Sequence, residues 1–179
     1  MHPDLKEILF AEADIQSRIR ELAAEIERDY AGKNLLLIGI LKGAIIFLSD
    51  LSRSISMHHE LDLVGASSYS GTQSTGQVRI TMDIEISLHN RDVLLIEDIY
   101  DTGRTLNKLY KMIELREPNS VEICCLLEKP EMHMTDVAVK YVGFKIPNVF
   151  VVGYGLDYEE RYRNLRDIGI LKESIYKEP

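Results

Sequence analysis

Two neighbouring carboxylates are followed closely by a run of hydroxyl and glycine residues in the middle of this 179-residue chain. Glu97 and Asp98 stand together, and Asp-Thr-Gly-Arg-Thr follows at residues 101–105. Ionised carboxylates only accept hydrogen bonds, so the pair suits the vicinal hydroxyls of a sugar, with a divalent metal nearby. Backbone N–H groups beside a glycine, together with threonine hydroxyls, suit a phosphate. Together these groups predict a site for a ribose 5-phosphate.

The residues on either side of this run predict the elements that would position it. Four aliphatic residues, Val93 to Ile96, precede it and are typical of a strand that is buried on both faces of a parallel sheet. A helix should follow and end before Pro118, with an apolar face of Leu106, Leu109, Tyr110 and Ile113. Ligands of open α/β sheets bind beyond the carboxyl ends of the strands. A capped helix beside two solvated acids would explain any single residue, but the complete run favours a ligand site.

The same succession of strand, turn and helix occurs earlier in the chain. Residues 35–41 are a second apolar run, and Lys42 and Gly43 follow it. The next helix should have an inner face of Ala44, Phe47, Leu48 and Leu51. Repetition of this unit predicts an α/β fold with a mainly parallel central sheet flanked by helices. We also expect a helix over residues 14–30, capped by Asp14, and strands at residues 61–69, 78–84, 121–127, 137–142 and 149–152.

The run from Glu97 to Thr105 closely resembles the phosphoribosyl pyrophosphate (PRPP) motif of the type I phosphoribosyltransferases. Its form, Glu-Asp-Ile-x-Asp-Thr-Gly-x-Thr, resembles the branch that uses hypoxanthine and guanine, the 6-oxopurines. The resemblance implies one domain over residues 1–179, with a small hood subdomain built from the N-terminal residues and about residues 128–179. Tyr100 stands where we expect a small aliphatic residue, a difference that concerns only local packing.

The same resemblance implies which residues would hold PRPP. Glu97 and Asp98 would bind the ribose 2- and 3-hydroxyls, and Asp101 would act as general base towards the purine. The 5-phosphate would be held by Asp101, Thr102, Gly103, Arg104 and Thr105. The pyrophosphate would be held by Leu41, Lys42, Gly43 and Arg163, with a cis peptide bond before Lys42.

The resemblance also implies how a purine, a metal and a lid would be placed. Lys129 would meet the purine 6-oxygen, and the remaining purine contacts would come from Phe150, which stacks on the base, Val151 and Ile99. A magnesium ion would be bound by Asp157 with Glu97 and Asp98. Ser68 and Tyr69, with the small polar residues 70–76, would form a lid that excludes water from the reacting sugar.

The activity that the resemblance implies is transfer of the 5-phosphoribosyl group from PRPP to N9 of hypoxanthine or guanine, which yields IMP or GMP and pyrophosphate. This is a purine-salvage reaction of a pentosyltransferase. One alternative is a relative that uses xanthine or adenine, but the Lys129 ammonium can only donate and so disfavours the 6-amino group of adenine. Another is a non-catalytic regulator that binds RNA. The acidity of the chain argues against it, as does the presence of Asp101, Lys129 and Asp157 together.

The composition limits which binding partners and which cellular compartment we expect. The net charge of −8 disfavours non-specific binding to nucleic acid or to an anionic membrane. The longest mostly apolar stretch, residues 35–48, contains Lys42 and is too short to span a bilayer. The N-terminus lacks the features of a signal peptide, and we expect Cys124 and Cys125 to be buried, unpaired thiols, as in a reducing compartment. We therefore expect a cytoplasmic protein. The five histidines show no zinc-binding pattern. Family analogy implies a homodimer or homotetramer.

Overall fold

The computed structural model describes residues 1–68 and 78–176. The strands are β1 (Leu5–Phe10), β2 (Leu35–Leu41), β3 (Glu60–Ser68), β4 (Val78–Met82), β5 (Asp92–Tyr100), β6 (Ser120–Glu128), β7 (Tyr141–Lys145), β8 (Val151–Val152) and β9 (Ile168–Leu171). The helices are α1 (Glu12–Asp29), α2 (Ile45–Ser54), α3 (Arg104–Glu114) and α4 (Glu173–Tyr176). A single 3-10 turn at Pro130–Met132 follows β6. Within the described residues, no helix is both long and apolar enough to cross a membrane.

The larger sheet confirms the predicted mainly parallel arrangement. In the part of the chain that the structure describes, its strand order is β4-β3-β2-β5-β6-β7. Neighbouring strands from β3 to β7 pair in parallel, and only β4 runs antiparallel to its neighbour β3. The central strands β2 and β5 lie side by side, with Leu37 opposite Leu94. Their carboxyl ends therefore open onto the same edge of the sheet.

Alternate residues of the central strands face two separate cores, which is why both strands read as uninterrupted apolar runs. Leu94 and Ile96 pack with α1 and α2, whereas Val93 and Leu95 pack with α3 on the opposite face. The inner faces predicted for α2 and α3 are confirmed: each predicted apolar position is buried, except Tyr110, which is partly buried. The helices thus cover both faces of the sheet and fix its edge as the exposed, ligand-accessible region.

A smaller antiparallel sheet joins the two ends of the chain. Its strand order is β1-β9-β8, and its apolar contacts include Leu5, Val152 and Leu171. The sequence did not predict β1 or β9, because both segments are short and contain charged residues or glycine. The range expected for the hood also contains β7, which pairs with β6 in the larger sheet.

Three local expectations were wrong. Asp14 does not cap α1, since the helix begins at Glu12 with Ala11 at the N-cap position. The strand expected at residues 137–142 is instead β7, which begins at Tyr141, because Val137 and Val139 pack their side chains against the α3 side of the core outside the sheet. The strand expected at residues 149–152 is limited to Val151 and Val152.

Candidate active site

A cleft lies at the carboxyl ends of β2 and β5. It is lined by residues from four separate parts of the chain, among them Lys42, Gly43, Ala66, Glu97, Asp98, Ile99, Asp101, Gly103, Thr105, Asp157 and Arg163. Because β2 and β5 are adjacent parallel strands, the turn of residues 41–43 and the loop of residues 101–105 meet there. The structure therefore brings together most of the residues that were expected to bind PRPP.

The 41–43 turn lies in close contact with the Asp98 carboxylate of β5. A Cβ atom added to Gly43 would overlap the Asp98 carboxylate, so only glycine fits at this position. The peptide bond between Leu41 and Lys42 is cis, as the resemblance implied. The backbone of this turn and the Asp98 side chain thus form one continuous wall of the cleft.

The 101–105 loop presents the start of α3 to the cleft. Gly103 is the N-cap residue and has φ +75°, and a Cβ atom there would lie 2.5 Å from the Tyr100 ring. The first N–H groups of an α-helix have no partner within the helix, so this end of α3 can bind an anion. Thr102 and Arg104 are not among the residues that line the cleft. Instead, the Thr102 N–H donates to Asp101 Oδ1.

A neighbouring segment supports this loop from behind. The Tyr100 ring stacks on His133 with 3.8 Å between the ring centroids, and its hydroxyl donates to the Thr135 carbonyl at 2.9 Å. The Met134 N–H donates to the Thr102 carbonyl at 3.0 Å. The unexpected tyrosine therefore changes local packing and ties the loop to the segment after β6.

The two carboxyl groups at the end of β5 both have a raised pKa. Burial raises the pKa of Glu97 well above its ordinary value, and the charges of Asp98 and Asp101 raise it further. Burial also raises the pKa of Asp98, but hydrogen bonds from the Glu97 side chain and the Ile99 N–H, together with Arg163, oppose that shift. Both shifts favour the protonated form, so one proton can be held between the two carboxyl groups. The pair can offer one donor and one acceptor to a diol.

Two basic side chains that line the cleft share one acidic partner. Arg163 Nη2 lies 3.2 Å and Lys42 Nζ 2.9 Å from Glu160 Oε2. Arg163 Nη1 also donates to Asp157 Oδ1 at 2.8 Å and to the Gly155 carbonyl at 2.8 Å. The buried Arg163 Nε has no hydrogen-bond partner among the described residues, so this guanidinium keeps a free donor. The two bonds hold the pKa of Glu160 below its usual range.

The residues expected to bind a purine are divided between two cavities. Ile99 lines the cleft, whereas Lys129 and Phe150 line a neighbouring hollow of about 770 Å³. Burial lowers the pKa of Lys129, and the charge of Asp101 opposes that shift. Phe150 stacks on Tyr176 of α4 with 4.8 Å between the centroids. Val151 is buried in β8, where it pairs with Ile170.

A comparison with family models identifies the type of domain. A model described as "Phosphoribosyl transferase domain" matches residues 7–159. The chain belongs to the phosphoribosyltransferase family. This membership agrees with the observed sheet, in which the PRPP-like run begins in the last residues of the central strand β5 and continues into the loop after it.

Close relatives in the family cover the chain almost completely. The chain is 51% identical to a hypoxanthine-guanine phosphoribosyltransferase of Staphylococcus aureus (strain Mu50), over 98% of this chain and 99% of the relative. It is 47% identical to the enzyme of that name from Streptococcus mutans, over 98% of each. A crystal structure of a hypoxanthine phosphoribosyltransferase from S. aureus superposes with a TM-score of 0.95 at 51% identity, over 99% of this chain and 97% of that one. A Trypanosoma cruzi hypoxanthine phosphoribosyltransferase superposes with a TM-score of 0.93 at 40% identity, covering 98% and 96% of the two chains.

The carboxylates of this phosphoribosyltransferase fit a magnesium ion only in part. Asp98 and Asp157 both line the cleft and carry the oxygen ligands that magnesium prefers. Among residues 1–68 and 78–176, however, no group of three or more His, Cys, Asp or Glu side chains is arranged to hold a metal. An ion there needs further oxygen ligands, which the phosphate groups of a substrate can supply.

Several residues that shape the site were not predicted. Glu160 is one of them, and the only feature of the sequence that could have indicated it is its position three residues before Arg163. Asp50 and Tyr154 are two others; they form a hydrogen bond behind the cleft. The expected lid lies mostly outside the described residues. Ser68 is the last residue of β3, and the described part of the chain does not include Tyr69 or residues 70–76.

Proposed function

We propose that this chain transfers the 5-phosphoribosyl group from PRPP to N9 of hypoxanthine or guanine and releases pyrophosphate. The observation that carries the proposal is the meeting of the 41–43 turn, the Asp98 carboxylate and the 101–105 loop in one cleft. A sugar that carries phosphates at both ends needs two anion sites on either side of a diol site. The names of the relatives, hypoxanthine-guanine phosphoribosyltransferases, support the same reaction.

The proposed binding mode of PRPP follows the residues of the cleft. The start of α3, with Asp101, Thr102, Gly103, Arg104 and Thr105, binds the 5-phosphate. Glu97 and Asp98 bind the ribose hydroxyls and hold the ring in place. Lys42, with the backbone of Leu41 and Gly43, binds the pyrophosphate together with Arg163, whose Nε is a free donor. These cations offset the negative charge that grows on the leaving pyrophosphate.

The proposed base site uses the neighbouring hollow. Lys129 donates to the purine 6-oxygen, and Phe150 stacks on the ring. Val151 and Ile99 complete the purine contacts. Asp101 accepts or shares a proton of the purine imidazole as N9 attacks C1 of the sugar through an oxocarbenium-like transition state. The Lys129 N–H bond to the Tyr100 carbonyl, 2.8 Å long, keeps this lysine close to the 101–105 loop.

Magnesium completes the proposed site. Asp157 and Asp98, with Glu97, would hold the ion beside Lys42 and Arg163, and the substrate phosphates would supply the remaining ligands. Bound there, the ion would neutralise charge on the pyrophosphate. Ser68 and Tyr69 as a lid, a cytoplasmic location and a homodimer or homotetramer remain further parts of the proposal.

An assay with PRPP, magnesium and each of four purines tests this function. Hypoxanthine and guanine should both react, because both present a 6-oxygen to Lys129. Adenine should be disfavoured in kcat/KM by a factor on the order of 10³, since its 6-amino group leaves the ammonium unpaired. Lys129→Met should narrow that gap by losing the 6-oxopurines. If the unmodified enzyme used adenine as well as hypoxanthine, the assignment of Lys129 and the 6-oxopurine specificity would be wrong.

A further inference from the structure

The segment that carries Asp157 and Arg163 begins with three successive residues in the left-handed region. Their φ angles are +99° at Gly153, +52° at Tyr154 and +100° at Gly155. A Cβ atom at Gly155 would overlap the Gly43 carbonyl, so this backbone lies directly against the 41–43 turn. A non-glycine residue such as Tyr154 rarely adopts this conformation unless the surrounding contacts hold it there.

The contacts that hold Tyr154 come from two helices behind the cleft. Its side chain is buried, and its hydroxyl donates to Asp50 Oδ2 on α2 at 2.5 Å. Gln16 Nε2 of α1 donates to the same oxygen at 2.5 Å. Burial and the Asp50 carboxylate both raise the pKa of Tyr154, so the phenol keeps its proton and remains a donor. Neither Asp50 nor Gln16 lines the cleft.

The hydrogen bond between Tyr154 and Asp50 links the two parts of the proposed pyrophosphate site. The 41–43 turn leads directly into α2, which carries Asp50. Asp50 binds Tyr154, and the next residue, Gly155, donates its backbone N–H to the Arg163 carbonyl and accepts a hydrogen bond from the Arg163 guanidinium. The position of Tyr154 relative to α2 therefore sets the distance between Lys42 on one side and Arg163 on the other.

We propose that Asp50 and Tyr154 are positioning residues for the pyrophosphate half of the site. They touch no substrate and act by fixing the 153–163 segment against the 41–43 turn. This inference rests on the proposed function. It specifies that loss of their hydrogen bond weakens binding of PRPP while leaving the purine contacts of Lys129 and Phe150, which line the neighbouring hollow, unchanged.

Three variants and one matched control test the inference. Tyr154→Phe removes only the hydroxyl, and Asp50→Leu removes the acceptor. Each should raise KM for PRPP about tenfold, and KM for hypoxanthine should stay within about twofold of the unmodified enzyme. Asp50→Asn should restore nearly normal KM for PRPP, because an amide oxygen still accepts from the phenol.

Tyr141→Phe is the control, since Tyr141 is also a buried tyrosine that donates to an aspartate, Asp29 Oδ2, at 2.8 Å. It lies away from the cleft, so its loss should lower the melting temperature without changing KM for PRPP. Equal KM values for PRPP in Tyr154→Phe and Tyr141→Phe would overturn the inference. So would a parallel rise of both substrate KM values in Tyr154→Phe.

The outcome can be separated from failure of the proposed function. If the unmodified chain transferred phosphoribose to no purine, the proposed reaction would be wrong. Calorimetric titration of the same variants with PRPP and magnesium would then decide the positioning role: weaker binding in Tyr154→Phe than in Tyr141→Phe supports it. Equal binding in both variants, or no PRPP binding by the unmodified chain, overturns it.

Discussion

The two walls of the cleft that would hold phosphate groups are built in opposite ways. The 101–105 loop offers consecutive residues and the backbone N–H groups at the start of α3. The other wall joins Lys42 and Arg163, which come from distant parts of the chain and already bind Glu160. Backbone donors are fixed by the helix itself, whereas these side-chain donors must exchange one anionic partner for another. The donors of the first wall are therefore already in place, whereas the donors of the second wall are bound to Glu160, which competes with a phosphate group for them.

The strongest effect should come from the reactive end of the preorganised wall. Asp101→Asn should fold and bind PRPP, because the amide oxygen can still accept from the Thr102 N–H. It should lose about 10²–10⁴-fold in kcat, since an amide cannot take up the purine proton. Steady-state kinetics and PRPP titration measure the two quantities. Asp136→Asn, which changes an exposed aspartate outside the cleft, is the control. Turnover of Asp101→Asn within about threefold of the unmodified enzyme would remove Asp101 from the role of base.

A second, smaller effect tests whether the geometry of Gly103 maintains this wall. Gly103→Ala introduces a Cβ atom against Tyr100 at a φ of +75°. It should raise KM for PRPP by roughly 10–100-fold, a loss of about 1.4–2.7 kcal/mol in binding, since strain and the clash displace the start of α3. Gly32→Ala is a closely matched control, because Gly32 has the same φ with nothing within 4 Å of the added atom.

The two glycine variants separate backbone strain from contact at the site. Both should lower thermal stability through strain at positive φ, by about 1 kcal/mol for Gly32→Ala. Only Gly103→Ala should affect PRPP. An unchanged KM for PRPP in Gly103→Ala would mean that the loop does not need its close approach to Tyr100.

The competing contact of the second wall predicts a variant with improved binding. Glu160→Gln removes the charge that Lys42 and Arg163 share, so PRPP should bind about 2–5-fold more tightly. The gain is small because the glutamate is solvent-exposed. Glu159→Gln removes the same charge from the adjacent exposed residue and should have less effect. Calorimetric titration at low salt compares them, and equal affinities would show that Glu160 does not compete with PRPP.

The same contrast explains how much could be predicted from the sequence. The first wall is local: a buried strand, two acids and a helix start are consecutive, so their types and spacing indicate both geometry and chemistry. Lys42 and Arg163 were found only through family resemblance. Their partner Glu160 was missed, because an acid three residues before an arginine is a common surface pattern and nothing in the sequence links Glu160 to the distant Lys42.

Tertiary contacts account for the other failures. Tyr154 appears in the sequence as one aromatic residue between two glycines, and its bond to Asp50 depends on how α2 packs against the 153–163 segment. β9 is short and contains a glycine, and β1 and β9 are paired only because the two ends of the chain meet. In both cases the local pattern is weak, and the long-range partner decides the structure.

The smallest predicted effect concerns proton binding by Glu97 and appears only as a pH dependence. Burial raises the pKa of Glu97 in the folded protein above the ordinary value of 4.5 that it recovers on unfolding. Below that value both states are protonated, and the carboxyl group costs no stability. As pH rises through the folded-state pKa, the unfolded chain has already released its proton, and the folded state loses stability relative to it.

Glu97→Gln mimics the protonated form and removes this loss. Its melting temperature should exceed that of the unmodified protein at neutral pH, and the difference should shrink to nothing as pH falls towards 4.5. Glu131→Gln, at an exposed position on the turn after β6, is the control and should show a smaller dependence. A difference between Glu97→Gln and the unmodified protein that stays constant from pH 4.5 to neutrality would contradict the raised pKa. The two acids would then meet a sugar as two acceptors, not as the donor and acceptor that their burial implies.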